Sequence, residues 1–141
     1  MTAAAEPFSY LQRVSFSDID ALKHMNNVEF LRFYENARIA YFRQIVPDYE
    51  PVHGGRIGVI FAECQIAYRS PAHFEEEVRT TILPSDLKRS SVRLGFEMRC
   101  EADGRLLAEG HGVIVGYDYA SGRAAPFADD VREHLGATVI G

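Results

Sequence analysis

Residues 16–27 read FSDIDALKHMNN, and this stretch decides how the rest of the chain is organised. It joins a strand-like segment to the longest helical pattern in the sequence. Two carboxylates, Asp18 and Asp20, precede the helix, together with His24 and two asparagines. The free N–H groups and positive dipole end of a helix N-terminus hold anions and polarise carbonyls. The stretch therefore predicts a reactive corner beside a helix start.

The helical pattern begins after Asn26, a good N-cap residue, and is expected to stop at Pro47. Apolar residues recur with a period of 3.6 and form one stripe: Phe30, Tyr34, Ala37, Tyr41 and Ile45. At 1.5 Å per residue such a helix is roughly 30 Å long. It is long enough to span a small domain, and we expect it to be the only long helix.

The remaining segments alternate as strands do. Val14 and Phe16 are expected to face inward from a first strand at 10–16, before the helix. A loop rich in proline and glycine, 47–58, follows the helix, and then come four strand-like runs and a short final helix, at 57–68, 74–83, 88–100, 105–119 and 126–135. This order predicts an α+β fold in which a meander-like antiparallel sheet wraps around one buried helix.

The last strand-like run is apolar on both faces. Its small face carries Gly110, Gly112 and Gly116, which allow a helix to approach the sheet closely. Its other face carries Val113 and Val115, so both faces are expected to be covered. This pattern indicates a subunit interface.

Composition narrows the class of protein. The 141 residues fit one domain, 1–141, and a net charge of −5 argues against a general nucleic-acid partner. No apolar run approaches the ~20 residues of a membrane helix, and the start lacks the features of a signal peptide, so we expect a cytoplasmic protein with no membrane association. Cys64 and Cys100 have no metal-binding spacing and are expected to be buried free thiols.

Taken alone, the acidic corner has a plain structural explanation. Asp18 and Asp20 are common turn residues before a helix, and His24 fits loop chemistry. The stretch offers too few ligands for a hard metal or for zinc, so we expect no metal site.

Several runs resemble one known family. The run DIDALKHMNN at 18–27, followed by FLRFYENAR at 30–38, resembles the hotdog-fold acyl-CoA thioesterases of the 4-hydroxybenzoyl-CoA thioesterase type. The runs YRSP at 68–71 and KRS at 88–90 also fit, so the resemblance extends over about 10–119. It implies a sheet wrapped around one long central helix. It also implies a homodimer whose sheets join edge to edge, usually paired into a homotetramer, with an active site shared between subunits.

The resemblance implies roles for the acidic corner. Asp20 matches the catalytic carboxylate, which either attacks the thioester carbonyl or activates a water that does so. The backbone N–H of Asn27 matches the donor to the thioester oxygen. His24 matches a family position that supports the loop, either by orienting Asp20 or a water or in a structural role. Asp18 is expected to stabilise the loop. Glu35 is a second acid on the helix, and its spacing to Arg38 is that of an ion pair.

A coenzyme A substrate requires local positive charge for its phosphates. In the family a basic pair at the place of Lys88 and Arg89 contacts the nucleotide, and Arg93 shares the face of Arg89. Arg69 is a weaker candidate. A solvated strand edge explains the same residues without a ligand. Coenzyme A enters as part of the substrate, and no other cofactor is implied.

The expected function is therefore hydrolysis of an acyl-CoA to a carboxylic acid and coenzyme A. Two alternatives stay open at this point. One is a non-catalytic hotdog module that binds acyl-CoA or acyl-carrier protein. The other is a hotdog dehydratase, although the spacing from Asp20 to His24 does not clearly match that class.

Overall fold

A computed structural model describes residues 6–46 and 58–139 of the chain. The described elements share one hydrophobic core, and they are, in chain order, β1 (Ser9–Arg13), a 3-10 turn (Phe16–Asp18), α1 (Asn27–Ile45), β2 (Val59–Tyr68), β3 (Glu77–Ser85), β4 (Ser91–Cys100), β5 (Leu106–Asp118), β6 (Arg123–Ala124) and α2 (Asp129–Thr138). The predicted α+β class is confirmed. The predicted loop at 47–58 lies outside the described residues except for Gly58.

Helix α1 is the predicted central helix. Its entire apolar stripe is buried, from Phe30 to Ile45. Asn26 caps the helix as predicted, because its side chain accepts a hydrogen bond from the N–H of Val28. Among the described residues no helix is long and apolar enough to cross a bilayer.

The sheet has the strand order β1-β3-β4-β5-β2, and β6 pairs with β5. Strands β3, β4 and β5 form the predicted meander. The prediction is wrong for β2, which lies beyond β5 at the edge of the sheet rather than beside β3. Strand β4 alternates as predicted, with its inward side chains buried: Val92, Leu94, Phe96, Met98 and Cys100.

Two residues differ from their predicted places. Phe16 is 80% exposed, because β1 ends at Arg13 and the chain then enters the 3-10 turn, which breaks the alternation. The run predicted at 74–83 extends to Ser85 in β3, so Pro84 is a buried residue inside that strand. Strand β1 pairs with β3 only as far as Thr81, so Pro84 lies where β3 has one strand neighbour among the described residues, and a missing N–H is tolerated there.

The face of β5 that carries the small residues packs against the central helix, as predicted. The Tyr34 hydroxyl donates a 2.6 Å hydrogen bond to the Leu94 carbonyl, and the Tyr34 and Phe96 ring centroids are 4.2 Å apart. A Cβ built on Gly112 would meet the Tyr34 hydroxyl at 2.7 Å and would clash with the Phe61 ring. Burial raises the pKa of Tyr34, so the phenol stays a neutral donor. Glycine at 112 therefore sets how closely α1 approaches the sheet.

Strand β2 is largely exposed in the single chain. Ile60, Phe61 and Tyr68 are 37%, 42% and 42% exposed. Cys64 is exposed as well, so the prediction of two buried thiols is wrong for Cys64 and confirmed for Cys100. The difference arises because β2 is an edge strand, a property of the sheet order that local alternation does not reveal.

Helix α2 closes the other end of the helix layer. It starts three residues later than predicted, and it buries Val131 and Leu135. The hydroxyl groups of Tyr41 and Thr138 are 2.6 Å apart and link α2 to α1. The single domain over 1–141 stays a prediction.

Candidate active site

The loop before α1 folds back on itself. Ile19 and Met25 form an antiparallel bridge. Inside it, the N–H of Asp20 donates to the His24 carbonyl at 3.2 Å, and the N–H of Lys23 donates to the Asp20 carbonyl at 3.0 Å. Lys23 has a φ of 67°, the left-handed conformation that closes this turn. The turn brings Asp20 and His24 together and returns the chain toward the helix start.

Asp18 supports this loop, as predicted. It is 6% exposed, and its Oδ2 accepts a 2.8 Å hydrogen bond from the N–H of Ser15. Its backbone carbonyl accepts a 2.9 Å hydrogen bond from the N–H of Asn26, the helix cap. Asp18 thus joins the 3-10 turn to the beginning of α1, and its carboxylate is committed to the backbone.

The carboxylate of Asp20 is partly exposed. Its Oδ1 accepts a 2.9 Å hydrogen bond from the N–H of Leu22, and its Oδ2 has no partner among the described residues. One oxygen therefore holds the turn while the other remains available for chemistry. A carboxylate so held is oriented by its own loop.

The start of α1 leaves one backbone donor available. The N–H of Val28 donates to Asn26 Oδ1 and the N–H of Glu29 to the Asn26 carbonyl, each at 2.9 Å. Within the described part of the chain, the N–H of Asn27 has no acceptor. A helix N-terminus with an unused N–H is a preformed site for a developing negative charge.

A pocket of about 290 Å³ opens at this helix start. Its lining includes His24, Asn27, Phe30, Tyr68 and Pro71. Asp20 is not part of that lining, so the single chain brings His24 and Asn27 to the pocket wall and leaves Asp20 in the adjoining turn. The wall is mixed, with an aromatic side formed by Phe30 and Tyr68, whose ring centroids are 5.3 Å apart.

An ionic network holds the segment behind the pocket. The N–H of Met25 donates to the Ala72 carbonyl at 2.7 Å, and Arg105 reaches the Pro71 carbonyl at 3.1 Å and Glu76 at 2.8 Å. Burial alone would raise the pKa of Glu76. Hydrogen bonds from the His73 N–H and from Arg105, with the charge of Arg105, outweigh burial and hold that pKa below its ordinary value. The ionised carboxylate thus anchors the loop on which Met25 rests.

One group of potential metal ligands occurs within residues 6–46 and 58–139. Atoms of Glu76, Cys100 and Asp103 lie within 4.8 Å of one another. Arg105 contacts Glu76 at 2.8 Å and Asp103 at 2.6 Å, so both carboxylates are already paired with its guanidinium group. The group acts as an ion-pair cluster at the turn between β4 and β5.

The predicted phosphate-binding residues lie at the other end of the sheet. Ser91, just after Lys88 and Arg89, pairs with Val115, whereas Tyr68 at the pocket pairs with Ala108. The two paired positions of β5, Val115 and Ala108, are seven residues apart, which is roughly 23 Å at the rise of a strand. Arg93 is exposed on β4, and Lys88 makes a loose 3.9 Å ion pair with Asp86. A single chain therefore does not bring Lys88, Arg89 or Arg93 to the pocket, whereas Arg69 is part of its lining.

Two other candidates are paired. Arg69 Nε lies 3.0 Å from a Glu109 carboxylate oxygen. Arg38 lies 4.0 Å from Glu35, as the i, i+3 spacing predicts.

Sequence reasoning gave no role to Tyr68. Its hydroxyl donates to the backbone carbonyl of Asn27 at 3.1 Å. The available signal was a tyrosine at the end of a strand, directly before the Ser-Pro break in the run YRSP. Tyr68 and Asn27 are 41 positions apart in the sequence, so local patterns cannot reveal this contact.

Comparison with known proteins assigns the chain to a family. A family profile described as the thioesterase-like superfamily matches residues 14–135. The chain belongs to the thioesterase-like superfamily. The predicted family is thus confirmed, and the prediction of a thioester hydrolase is confirmed at the level of that family.

Individual relatives cover nearly the whole chain. A thioesterase from Thermus thermophilus, solved with coenzyme A and Zn, is 33% identical with a TM-score of 0.79, covering 93% of this chain and 98% of its own. The uncharacterized protein YsmA of Bacillus subtilis (strain 168) is 29% identical over 130 residues, which are 91% of this chain and 86% of YsmA.

A third relative shows the fold. Slr0204, a 1,4-dihydroxy-2-naphthoyl-CoA thioesterase from Synechocystis, has a TM-score of 0.80 at 15% identity, covering 92% of this chain and 95% of its own. The predicted hotdog architecture, a sheet with one long central helix, is confirmed by these matches.

Proposed function

We propose that the protein hydrolyses an acyl-CoA thioester to a carboxylic acid and coenzyme A. The observation that supports this most directly is the helix start at Asn27. The N–H of Asn27 has no acceptor among the described residues, and Asn27 lines a pocket. The folded-back turn with Asp20 and His24 adjoins that pocket. A carboxylate and a fixed donor are the two groups that thioester hydrolysis requires.

In the proposed reaction the thioester carbonyl oxygen accepts a hydrogen bond from the Asn27 N–H. Asp20 either attacks the carbonyl carbon itself or removes a proton from a water that attacks it. A carbon–oxygen bond forms, negative charge develops on the carbonyl oxygen, and the carbon–sulfur bond then breaks. The sulfur leaves as a thiolate that takes up a proton, and if Asp20 was the nucleophile, water hydrolyses the resulting anhydride. His24 orients Asp20 or the water.

The position of the basic residues supports a site built by two subunits. Strand β2 pairs with β5 along one side, and among the described residues its other side has no strand neighbour. Exposed edges of this kind pair with a second chain. Antiparallel pairing of two β2 strands about a two-fold axis puts the Val59 end of one beside the Tyr68 end of the other.

This pairing brings the two parts of the site together. Val59 pairs with Gly116, and the Gly116 N–H donates to the Ser90 carbonyl, so Lys88 and Arg89 lie near the Val59 end of β2. Across the dimer they would be about three strand spacings, roughly 14 Å, from Tyr68. That separation is shorter than the path within one chain. We assign phosphate binding to Lys88, Arg89 and Arg93 acting on the acyl-CoA held at the partner's pocket.

Arg89→Ala is expected to raise KM for acyl-CoA about five- to tenfold with kcat nearly unchanged, because a phosphate contact far from the carbonyl binds substrate and transition state alike. The effect should shrink as salt screens the charge. Arg13→Ala removes an exposed cation from β1, at the edge of the sheet opposite β2, and is the matched control. An unchanged KM in Arg89→Ala would contradict the assignment.

The sharing of the site has its own test. In a mixture of Asp20→Asn and Arg89→Ala chains that have been unfolded and refolded together, each hybrid dimer carries both defects in one site and none in the other. Activity at low substrate should therefore exceed the average of the two separate variants. No gain in activity on mixing would mean that Arg89 acts within its own chain, or that two chains do not pair through β2 as proposed.

The function is tested by incubating the wild-type protein with acyl-CoAs of graded chain length and with aryl-CoAs, and by following thiol release. Release from at least one of them above the rate of spontaneous hydrolysis is the expected result. Binding of an acyl-CoA without thiol release would favour the non-catalytic module, and hydration of crotonyl-CoA would favour the dehydratase. The tetramer and the cytoplasmic location stay predictions.

A further inference from the structure

A hydrogen bond that has no part in the proposed mechanism joins β2 to the helix start. The Tyr68 hydroxyl donates to the backbone carbonyl of Asn27 at 3.1 Å, and the Tyr68 ring stands edge-on to Phe30, with an interplanar angle of 81°. Both residues line the pocket. Tyr68 is 42% exposed, so its ring contributes little to the core, while its hydroxyl is tied to the backbone of α1.

The first turn of α1 is held mainly by hydrogen bonds. Val28 is 67% exposed and Asn27 is exposed, so the outer side of this turn packs against little within the chain. The cap at Asn26 restrains the chain just before Asn27, and the Tyr68 hydroxyl restrains it just after. The Asn27 N–H is therefore aimed by a restraint on each side.

We propose that Tyr68 is a positioning residue, which fixes the direction of the Asn27 N–H through its hydrogen bond to the Asn27 carbonyl. This inference rests on the proposed function. A donor that stabilises developing charge must already point at the place where the charge forms, and small misplacements are costly to the rate. Loss of the restraint should reduce stabilisation of the transition state more than binding of the ground state, and so lower kcat.

The variant Tyr68→Phe keeps the ring and removes only the hydroxyl. We expect kcat to fall about fivefold to tenfold, with KM within about twofold of wild type, because one hydrogen bond of ordinary strength is lost. Tyr41→Phe is the matched control, since it removes a hydroxyl that lies 2.6 Å from the Thr138 hydroxyl at the other end of α1. Its kcat should equal that of wild type.

A second measurement does not depend on catalysis. The carbonyl that accepts the Tyr68 hydrogen bond shares its peptide group with the N–H of Val28, so the amide resonance of Val28 reports on that bond. In Tyr68→Phe the resonances of Asn27 and Val28 should shift, while those of the buried helix interior stay in place. In Tyr41→Phe neither Asn27 nor Val28 should shift.

The results separate this inference from the proposed function. Wild-type protein that releases no thiol contradicts the function, while the amide shifts still test the hydrogen bond. If wild type is active, an unchanged kcat in Tyr68→Phe overturns the positioning role and leaves the function intact. A rise in KM at constant kcat would also overturn it, because Tyr68 would then bind the substrate directly.

Discussion

Asp20→Asn should reduce thiol release by about 100- to 10,000-fold, the contribution typical of a positioned general base and the largest effect expected of any single change to this protein. Asparagine has the same shape as aspartate but neither attacks a carbonyl nor takes up a proton at neutral pH. Its Oδ1 can still accept the hydrogen bond from the Leu22 N–H, now 2.9 Å long, so the turn should stay folded. Steady-state assays with the best acyl-CoA measure the loss, and calorimetric titration with coenzyme A checks that binding survives.

Asp18→Asn is the matched control for this change, because it removes the other carboxylate of the same loop. In Asp18→Asn the amide oxygen can still accept from the Ser15 N–H, but the hydrogen bond loses its charged acceptor at a buried position. Stability should therefore fall by about 1 kcal/mol, and the rate per folded molecule should stay close to wild type. Full activity in Asp20→Asn would remove Asp20 from the mechanism, although membership in the family would stand. Equal losses in both variants would mean that the loop, and not one acid, carries the effect.

The parts of the fold that follow local periodicity could be predicted from the sequence. The buried stripe of α1 and the alternating face of β4 repeat every 3.6 and every two residues, so their burial is encoded by neighbours in the chain. Asn26 could be assigned as the cap for the same reason, since capping involves residues two positions apart.

The failures at Cys64 and Pro84 depended on contacts between distant segments, and the failure at Phe16 depended on an unrecognised local turn. Cys64 is exposed because, among the described residues, β2 pairs with β5 alone, and sheet order is set by pairings that local alternation does not encode. Phe16 is exposed because a 3-10 turn interrupts the strand, and its apolar character gives no sign of that. Pro84 lies inside β3 because β1 does not extend that far along it.

The same distinction between local patterns and long-range contacts applies to the candidate site. Asp18, Asp20 and His24 lie in one short loop, and their neighbourhood could be predicted from the resemblance and the turn chemistry. The contact between Tyr68 and Asn27 joins segments 41 residues apart and needed the fold. The distance between Lys88 and the pocket also needed the fold, and it is this distance that points to a second subunit.

Gly112→Ala should destabilise the protein by about 1–3 kcal/mol, because the added methyl group enters the contact between α1 and the sheet. The new Cβ would lie 2.7 Å from the buried Tyr34 hydroxyl and would clash with the Phe61 ring. Tyr34 cannot retreat freely, since its hydroxyl is bound to the Leu94 carbonyl. Urea unfolding followed by circular dichroism measures the loss. Gly136→Ala is the matched control, since the nearest atom to its Cβ is 3.7 Å away in Leu87, and alanine inside α2 should be neutral or slightly stabilising.

A double-mutant cycle identifies the cause of that loss. Tyr34→Phe alone should cost about 1–3 kcal/mol, because the Leu94 carbonyl loses its hydroxyl partner in a buried place. Removing the hydroxyl also removes one of the two obstacles to the new methyl group. Gly112→Ala with Tyr34→Phe should therefore be less destabilised than the sum of the single changes, by more than the ~0.5 kcal/mol expected of independent sites. Strict additivity, or a Gly112→Ala protein as stable as wild type, would show that the helix has room to move away from β5 and that glycine at 112 does not set its approach.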